Sequence, residues 1–129
     1  MTDKKIAIMQ PYLLPFVGYM QLLSASDVFV LYNDVNFIER GWINRNNFLI
    51  NGVVKKLSIP LEKASAKRII SDINVAVDNK VYGKVLMTLE ESYKKAPFFA
   101  DFFPLLKSTF DITKATTIDI LCKNVNSLN

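Results

Sequence analysis

Histidine is absent from this chain of 129 residues, and cysteine occurs once, at Cys122. The lack of histidine excludes Ser-His-Asp and Cys-His nucleophilic catalysis, and most zinc sites with them. It also removes the side chain best suited to proton transfer near neutral pH, so such a transfer falls to Asp, Glu, Lys, Tyr or the substrate itself. A single cysteine excludes an internal disulfide and fits a reducing compartment. Its helical spacing within an apolar segment marks it as core packing rather than a reactive thiol. No apolar run approaches the ~20 residues of a membrane-spanning helix. The run Ile6–Met9 is also shorter than the ~7 apolar residues of a signal peptide. The lysines are scattered (Lys4-Lys5, Lys55-Lys56, Lys94-Lys95) and the net charge is only +4, so nucleic acid is not an expected partner. No glycine-rich phosphate loop, Cys-x-x-Cys pair or metal-ligand motif occurs. The expectation is a cytoplasmic protein without a membrane span or metal site. The sequence requires no cofactor, and its positive surplus is compatible with an anionic small-molecule ligand such as a nucleotide or nucleotide-sugar.

What is present suits a folded domain. Half the residues are apolar and 22% are charged, enough for one core and one domain over 1–129. The predicted class is α/β: an N-terminal βαβ unit with parallel strands, a β-hairpin extension, and C-terminal helices packed on the sheet. Residues 5–9 read as a buried strand, 16–24 as a short helix and 28–31 as a parallel neighbour of the first strand. Asn51-Gly52, between two β-rich runs, supplies the positive φ values of a two-residue hairpin turn. A charged loop follows at 61–68, and partial alternation predicts a strand over 69–77. Asp78 caps a helix from 79 to 95. A helix over 98–109 is expected to break at Pro104. Thr113 is expected to cap the last helix, in which Ile118, Leu121, Cys122 and Val125 share a face.

Three clusters carry candidate chemistry. The first is Gln10-Pro11-Tyr12-Leu13-Leu14-Pro15-Phe16-Val17-Gly18-Tyr19, where a strand stops at a proline-stiffened aromatic loop before a helix. Ligands in α/β folds bind at the carboxyl ends of strands. Gln10 offers an amide, Tyr12 and Tyr19 offer stacking faces and hydroxyls, and Gly18 permits close approach to the helix backbone. Aromatics filling a small core are the competing reading. The second cluster, Asn33-Asp34-Val35-Asn36-Phe37, follows the second strand. There Asp34 should lie near Gln10, ready for a hydroxyl, an amine or magnesium, or else forms an Asx turn. The third, Glu39–Asn47, holds the only tryptophan, Trp42, together with Arg40, Asn44, Arg45 and Asn46. Trp42 suits stacking on a base or sugar, and Arg45 suits a forked grip on phosphate or carboxylate. The alternative is a surface loop whose arginines pair with Glu39 and Asp34. The candidate ligand-binding set is therefore Gln10, Tyr12, Gly18, Tyr19, Asp34, Trp42, Asn44, Arg45 and Asn46, expected to line one cleft.

These motifs resemble the WbqC-like family, and the likeness extends through Ala25–Val30, Leu57-Ser58-Ile59-Pro60-Leu61, Ile73-Asn74-Val75 and Tyr93-Lys94-Lys95-Ala96-Pro97-Phe98-Phe99. The resemblance covers nearly the whole chain. Family members are usually much longer, so it implies the N-terminal half of the family's usual length, with a second copy or a partner covering the remaining side. It also implies a role in O-antigen or other surface-polysaccharide biosynthesis, as a transferase of an aminoacyl, acyl or related group onto a sugar or nucleotide-sugar. The family supplies no agreed catalytic residues. A non-catalytic ligand-binding or assembly module is the alternative. A second alternative is an adenylate-forming protein, because the strand, Pro-rich loop, Gly-aromatic, helix order is similar to nucleotidylyltransferases of the HIGH type. In those a histidine follows the glycine, and here Tyr19 stands in its place.

Overall fold

The alternation of short apolar runs with turn-forming residues produces strands and helices in the expected order. The structure, a computed structural model, describes residues 3–112 and 116–126. The run Ile-Ala-Ile-Met forms β1 (Ile6–Met9), which pairs in parallel with β2 (Val28–Leu31) across the crossover helix α1 (Val17–Ala25). Asp27 fixes the start of this unit, accepting from the Lys5 backbone N–H at 2.8 Å. Its far end is fixed by Tyr32 N–H donating to Met9 O at 2.7 Å.

The first strand is not buried on both sides. Ala7 faces the interior, but Ile6 and Ile8 are exposed, as are their strand partners Val28 and Val30. Parallel sheets normally carry cover on both faces. Here one face is apolar and bare, because the described chain supplies a helix to the other side alone.

The second sheet is the hairpin of β3 (Arg45–Ile50) and β4 (Val53–Ser58), antiparallel from Arg45↔Ser58 to Ile50↔Val53. Asn51 at φ 51° and Gly52 at φ 78° make its turn, as the Asn-Gly pair predicts. The register puts Arg45, Asn47 and Lys56 on one face of the ribbon, since side chains alternate along a strand and Asn47 lies opposite Lys56.

The segment 69–77 is not a strand. It folds as a short 3₁₀ turn (Ile70–Asp72) followed by single bridges, Leu61↔Val75 and Asn74↔Thr117. Ile70, Ile73 and Val75 are nearly wholly buried, and this spacing of three then two suits a tight turn inside the core better than a flat ribbon. Helix α2 (Asn79–Tyr93) starts where Asp78 accepts from Lys80 and Val81 backbone N–H groups. Helix α3 (Phe99–Thr109) runs through Pro104 unbroken. Phe103 and Leu106, on either side of the proline, are both buried in the core, and that packing holds the helix across the lost hydrogen bond. Helix α4 (Ile118–Asn126) closes the domain, while the expected cap Thr113 lies outside the described residues.

The core gathers Leu13, Phe37, Ile43, Ile59 and Ile73 from loops and turns with Leu89, Phe103, Leu106, Ile118 and Cys122 from the three later helices. Leu13 belongs to the Gln-Pro-Tyr loop, which is anchored in the interior through Pro11, Leu13 and Tyr19 and exposes Phe16 and Val17. No helix among the described residues is long and apolar enough to cross a membrane.

Candidate functional site

The Gln10–Tyr19 loop is held by backbone-directed hydrogen bonds. Tyr19 Oη donates to Gln10 O at 2.9 Å, tying the start of α1 to the end of β1. Leu13 N–H donates to Ile43 O at 3.1 Å. Asn46 Nδ2 donates to Leu13 O at 3.2 Å and Leu14 O at 2.5 Å. Asn126 Nδ2, from α4, donates to Tyr12 O at 2.8 Å. Leu14 is consequently fixed at φ 46°, a left-handed conformation that a bulky residue adopts only when its surroundings impose it. Backbone strain of this kind concentrates at binding sites.

The nine candidate residues do not line one cleft. Tyr12, Trp42 and Asn46 border a cavity of about 360 Å³ together with Pro15, Phe16 and Asn47. Tyr19 borders a different cavity of about 440 Å³, with Phe29, Leu31, Asn33 and Asp119. The Tyr12 and Tyr19 rings are 5.7 Å apart at 54°, one ring to each cavity. Asn44 works as scaffold, donating from Nδ2 to Ile59 O at 2.9 Å. Arg45 Nε donates to Gly41 O at 2.6 Å, which fixes the guanidinium at the base of the hairpin. Gln10 borders neither cavity, and its side-chain contact with Tyr12 Oη is a long 3.5 Å. A Cβ on Gly18 would stand 2.3 Å from Cε2 of the exposed Phe16 ring, so the close neighbour there is the chain's own aromatic.

Asp34 is exposed and borders neither of these cavities. Beyond β2 the chain stays extended, with Ile70 N–H donating to Val35 O and Ser71 N–H to Asn33 O. Side chains alternate along such a segment, so Asn33, Val35 and Phe37 turn inward while Asp34 and Asn36 turn outward. The inward polar residue, Asn33, donates from Nδ2 to Asp119 Oδ2 at 2.8 Å. Asp119 is not among the residues singled out from sequence, although a signal exists: Asp119, Cys122 and Asn126 follow the i, i+3, i+7 spacing of one helix face. All three are buried, and all three reach the N-terminal half of the domain, Cys122 Sγ contacting Ile43 O at 3.4 Å. Glu39 accepts from the Ala66 backbone N–H at 3.1 Å, a bond that fastens the loop.

The Trp42 cavity has the better-equipped surroundings for an anionic ligand. Trp42 is half exposed, and Lys56 Nζ lies 5.9 Å from its ring centroid. With Arg45 and Asn47 on the same ribbon face, two cations, an amide and a flat aromatic surface are gathered at one end of the hairpin. An apolar cleft of about 470 Å³ lies elsewhere, among Phe48, Leu89, Tyr93, Phe102 and Phe103. Among the described residues it has no charged lining side chain to orient a polar ligand. Burial shapes the titration of the buried polar groups. It pushes the Tyr19 phenol up to about 12, with Cys122 and Tyr12 adding to the effect. It also pushes the Cys122 thiol well above its ordinary range, helped by the Asp119 carboxylate, so this thiol is inert in the fold.

The fold and the site define an α/β protein with a strained proline-aromatic loop at a strand end and, beside it, a cavity lined by aromatic and amide side chains. The chain belongs to the WbqC-like protein family, whose model matches residues 10–128. It is also similar to the protein Rv1507c of Mycobacterium tuberculosis (strain ATCC 25618 / H37Rv), at 27% identity over 120 residues, covering 92% of this chain and 51% of the relative. The chain thus spans about half the length of that relative. No solved structure matches it.

Proposed function

We propose that this protein is a transferase acting on a sugar or nucleotide-sugar in surface-polysaccharide biosynthesis, with the Trp42 cavity as the sugar or nucleotide site. The observation that carries this reading is the grouping of Trp42, Tyr12, Asn46 and Asn47 around one cavity, with Lys56 above the indole and Arg45 on the same ribbon face. Aromatic faces stack on bases and on the apolar faces of sugars, and the two cations suit a diphosphate. Amide side chains suit sugar hydroxyls. Family membership supports the pathway, and the group transferred is an aminoacyl or acyl group in this reading. Thermal-shift screening against nucleotides, nucleotide-sugars and acyl donors tests it. Stabilisation by a nucleotide-sugar is the expected result, and no response to any of the three classes would contradict it.

The assembly-module reading has its own supporting observation in the bare apolar face of Ile6, Ile8, Val28 and Val30. A second copy of this chain is the occupant proposed for this face, because paired exposed strands of one sheet present the same apolar surface on both copies. Sedimentation should then find a dimer that Ile8→Lys disrupts. A wild-type monomer would dismiss this reading and leave the transferase reading standing.

A further inference from the structure

We propose that the cavity beside Asp119 is a second binding site, for a primary ammonium group carried on a small ligand with an apolar face. This inference is independent of the Trp42 cavity and of the transferase reading. Asp119 is 6% exposed. Its Oδ2 accepts from Asn33 Nδ2 at 2.8 Å, while its Oδ1 is buried with no hydrogen-bond partner among the described residues. A buried carboxylate oxygen without a partner is costly, and a structure retains one where something else completes it. An ammonium group supplies the missing hydrogen bond together with a positive charge against the carboxylate, which a hydroxyl does not.

The surroundings fit that choice. The Tyr19 and Phe29 rings, 5.5 Å apart at 56°, form an aromatic wall of the cavity, and aromatic faces attract cations. Leu31 ends β2 and Asn33 follows it, so the cavity opens at the carboxyl edge of the parallel pair, where α/β folds take their ligands. A volume of about 440 Å³ suits a monosaccharide-sized molecule. Lys123 borders the cavity one helical turn beyond Asp119, which favours a ligand with one compact positive group over a polycation.

The test is an NMR titration of the ¹⁵N-labelled protein with glucosamine, glucose and N-acetylglucosamine, following the side-chain amides of Asn33 and Asn126. Glucosamine is expected to move both signals. Its two neutral counterparts should bind at least tenfold more weakly, and Asp119→Asn should lose at least tenfold in glucosamine affinity. If that variant fails to fold, Phe29→Leu keeps the site apolar and removes the ring, and is expected to weaken glucosamine binding several-fold. Equal binding of glucose and glucosamine, undiminished binding by Asp119→Asn, or unmoved amide signals with all three sugars would each overturn the proposal.

Discussion

Asn46 donates from Nδ2 to Leu14 O at 2.5 Å while Leu14 stands at φ 46° immediately before Pro15. A residue preceding proline is already restricted towards extended conformations, so this geometry must be imposed from outside. The second bond, to Leu13 O, makes the Asn46 amide a clamp on two successive carbonyls. Asn46→Ala is expected to cost roughly 1–3 kcal/mol in urea unfolding, through two lost hydrogen bonds only partly offset by relief of the strained turn. Asn46→Asp should cost more than the alanine variant, because a carboxylate in the same place faces two carbonyl oxygens with no proton to offer. The opposite order of the two variants would contradict the clamp.

Stability should fall on the alkaline side. Burial raises the Cys122 thiol well above its usual value, raises Tyr19 to about 12, and raises Tyr82 to about 12 with a further contribution from Asp78. All three stay protonated in the fold while the unfolded chain releases its protons at ordinary values, ~8.5 for Cys and ~10 for Tyr. Their contribution is complete below those ordinary values and is lost as the pH climbs towards the raised ones. The decline begins at about pH 8.5 from Cys122 and steepens above about 10 as the tyrosines join, each adding at most ~1.4 kcal/mol per pH unit. Denaturant unfolding between about pH 8 and 10 should show this slope, and Cys122→Ala should flatten its lower part. A flat profile for the wild type would contradict the burial argument.

Gly18→Ala separates packing from helix propensity. The added methyl group would meet only the ring of Phe16, which is exposed and free to swing aside. Alanine is preferred to glycine in a helix by about 1 kcal/mol, so the variant should be as stable as the wild type or slightly more so. Phe16 borders the Trp42 cavity, and its displacement should change ligand affinity there without lowering the melting temperature. A clear loss of stability would mean that the ring is held in place.

Much of the frame is legible from local chemistry. Ile6–Met9, Val28–Leu31, the Asn51-Gly52 turn and the Asp78 cap depend on neighbours in sequence, and the structure contains all of them. The segments that depart from expectation depend on partners far along the chain. Ile70 and Ile73 occupy a turn because the core around Ile118 accepts them there. Pro104 sits in a continuous helix because Phe103 and Leu106 are buried beside it. Ile6 and Ile8 are apolar in sequence, and nothing local reveals that the described chain leaves their face uncovered. For the site, the Gln10–Tyr19 loop and Trp42 are visible as residue types, but the alternation that turns Asp34 outward and Asn33 inward needs the pairing with residues 69–71.

Calorimetric titration of a nucleotide-sugar into the wild type, Trp42→Ala and Lys56→Gln decides whether the Trp42 cavity is the ligand site. Trp42 is half exposed and its contact with Lys56 is worth only about 0.5–1 kcal/mol, so both variants should fold normally. Binding to the wild type should be saturable and weaken as salt rises, with a loss of roughly 1–3 kcal/mol in Trp42→Ala and a smaller loss with reduced salt dependence in Lys56→Gln. Wild-type affinity in a folded Trp42→Ala variant would contradict that assignment.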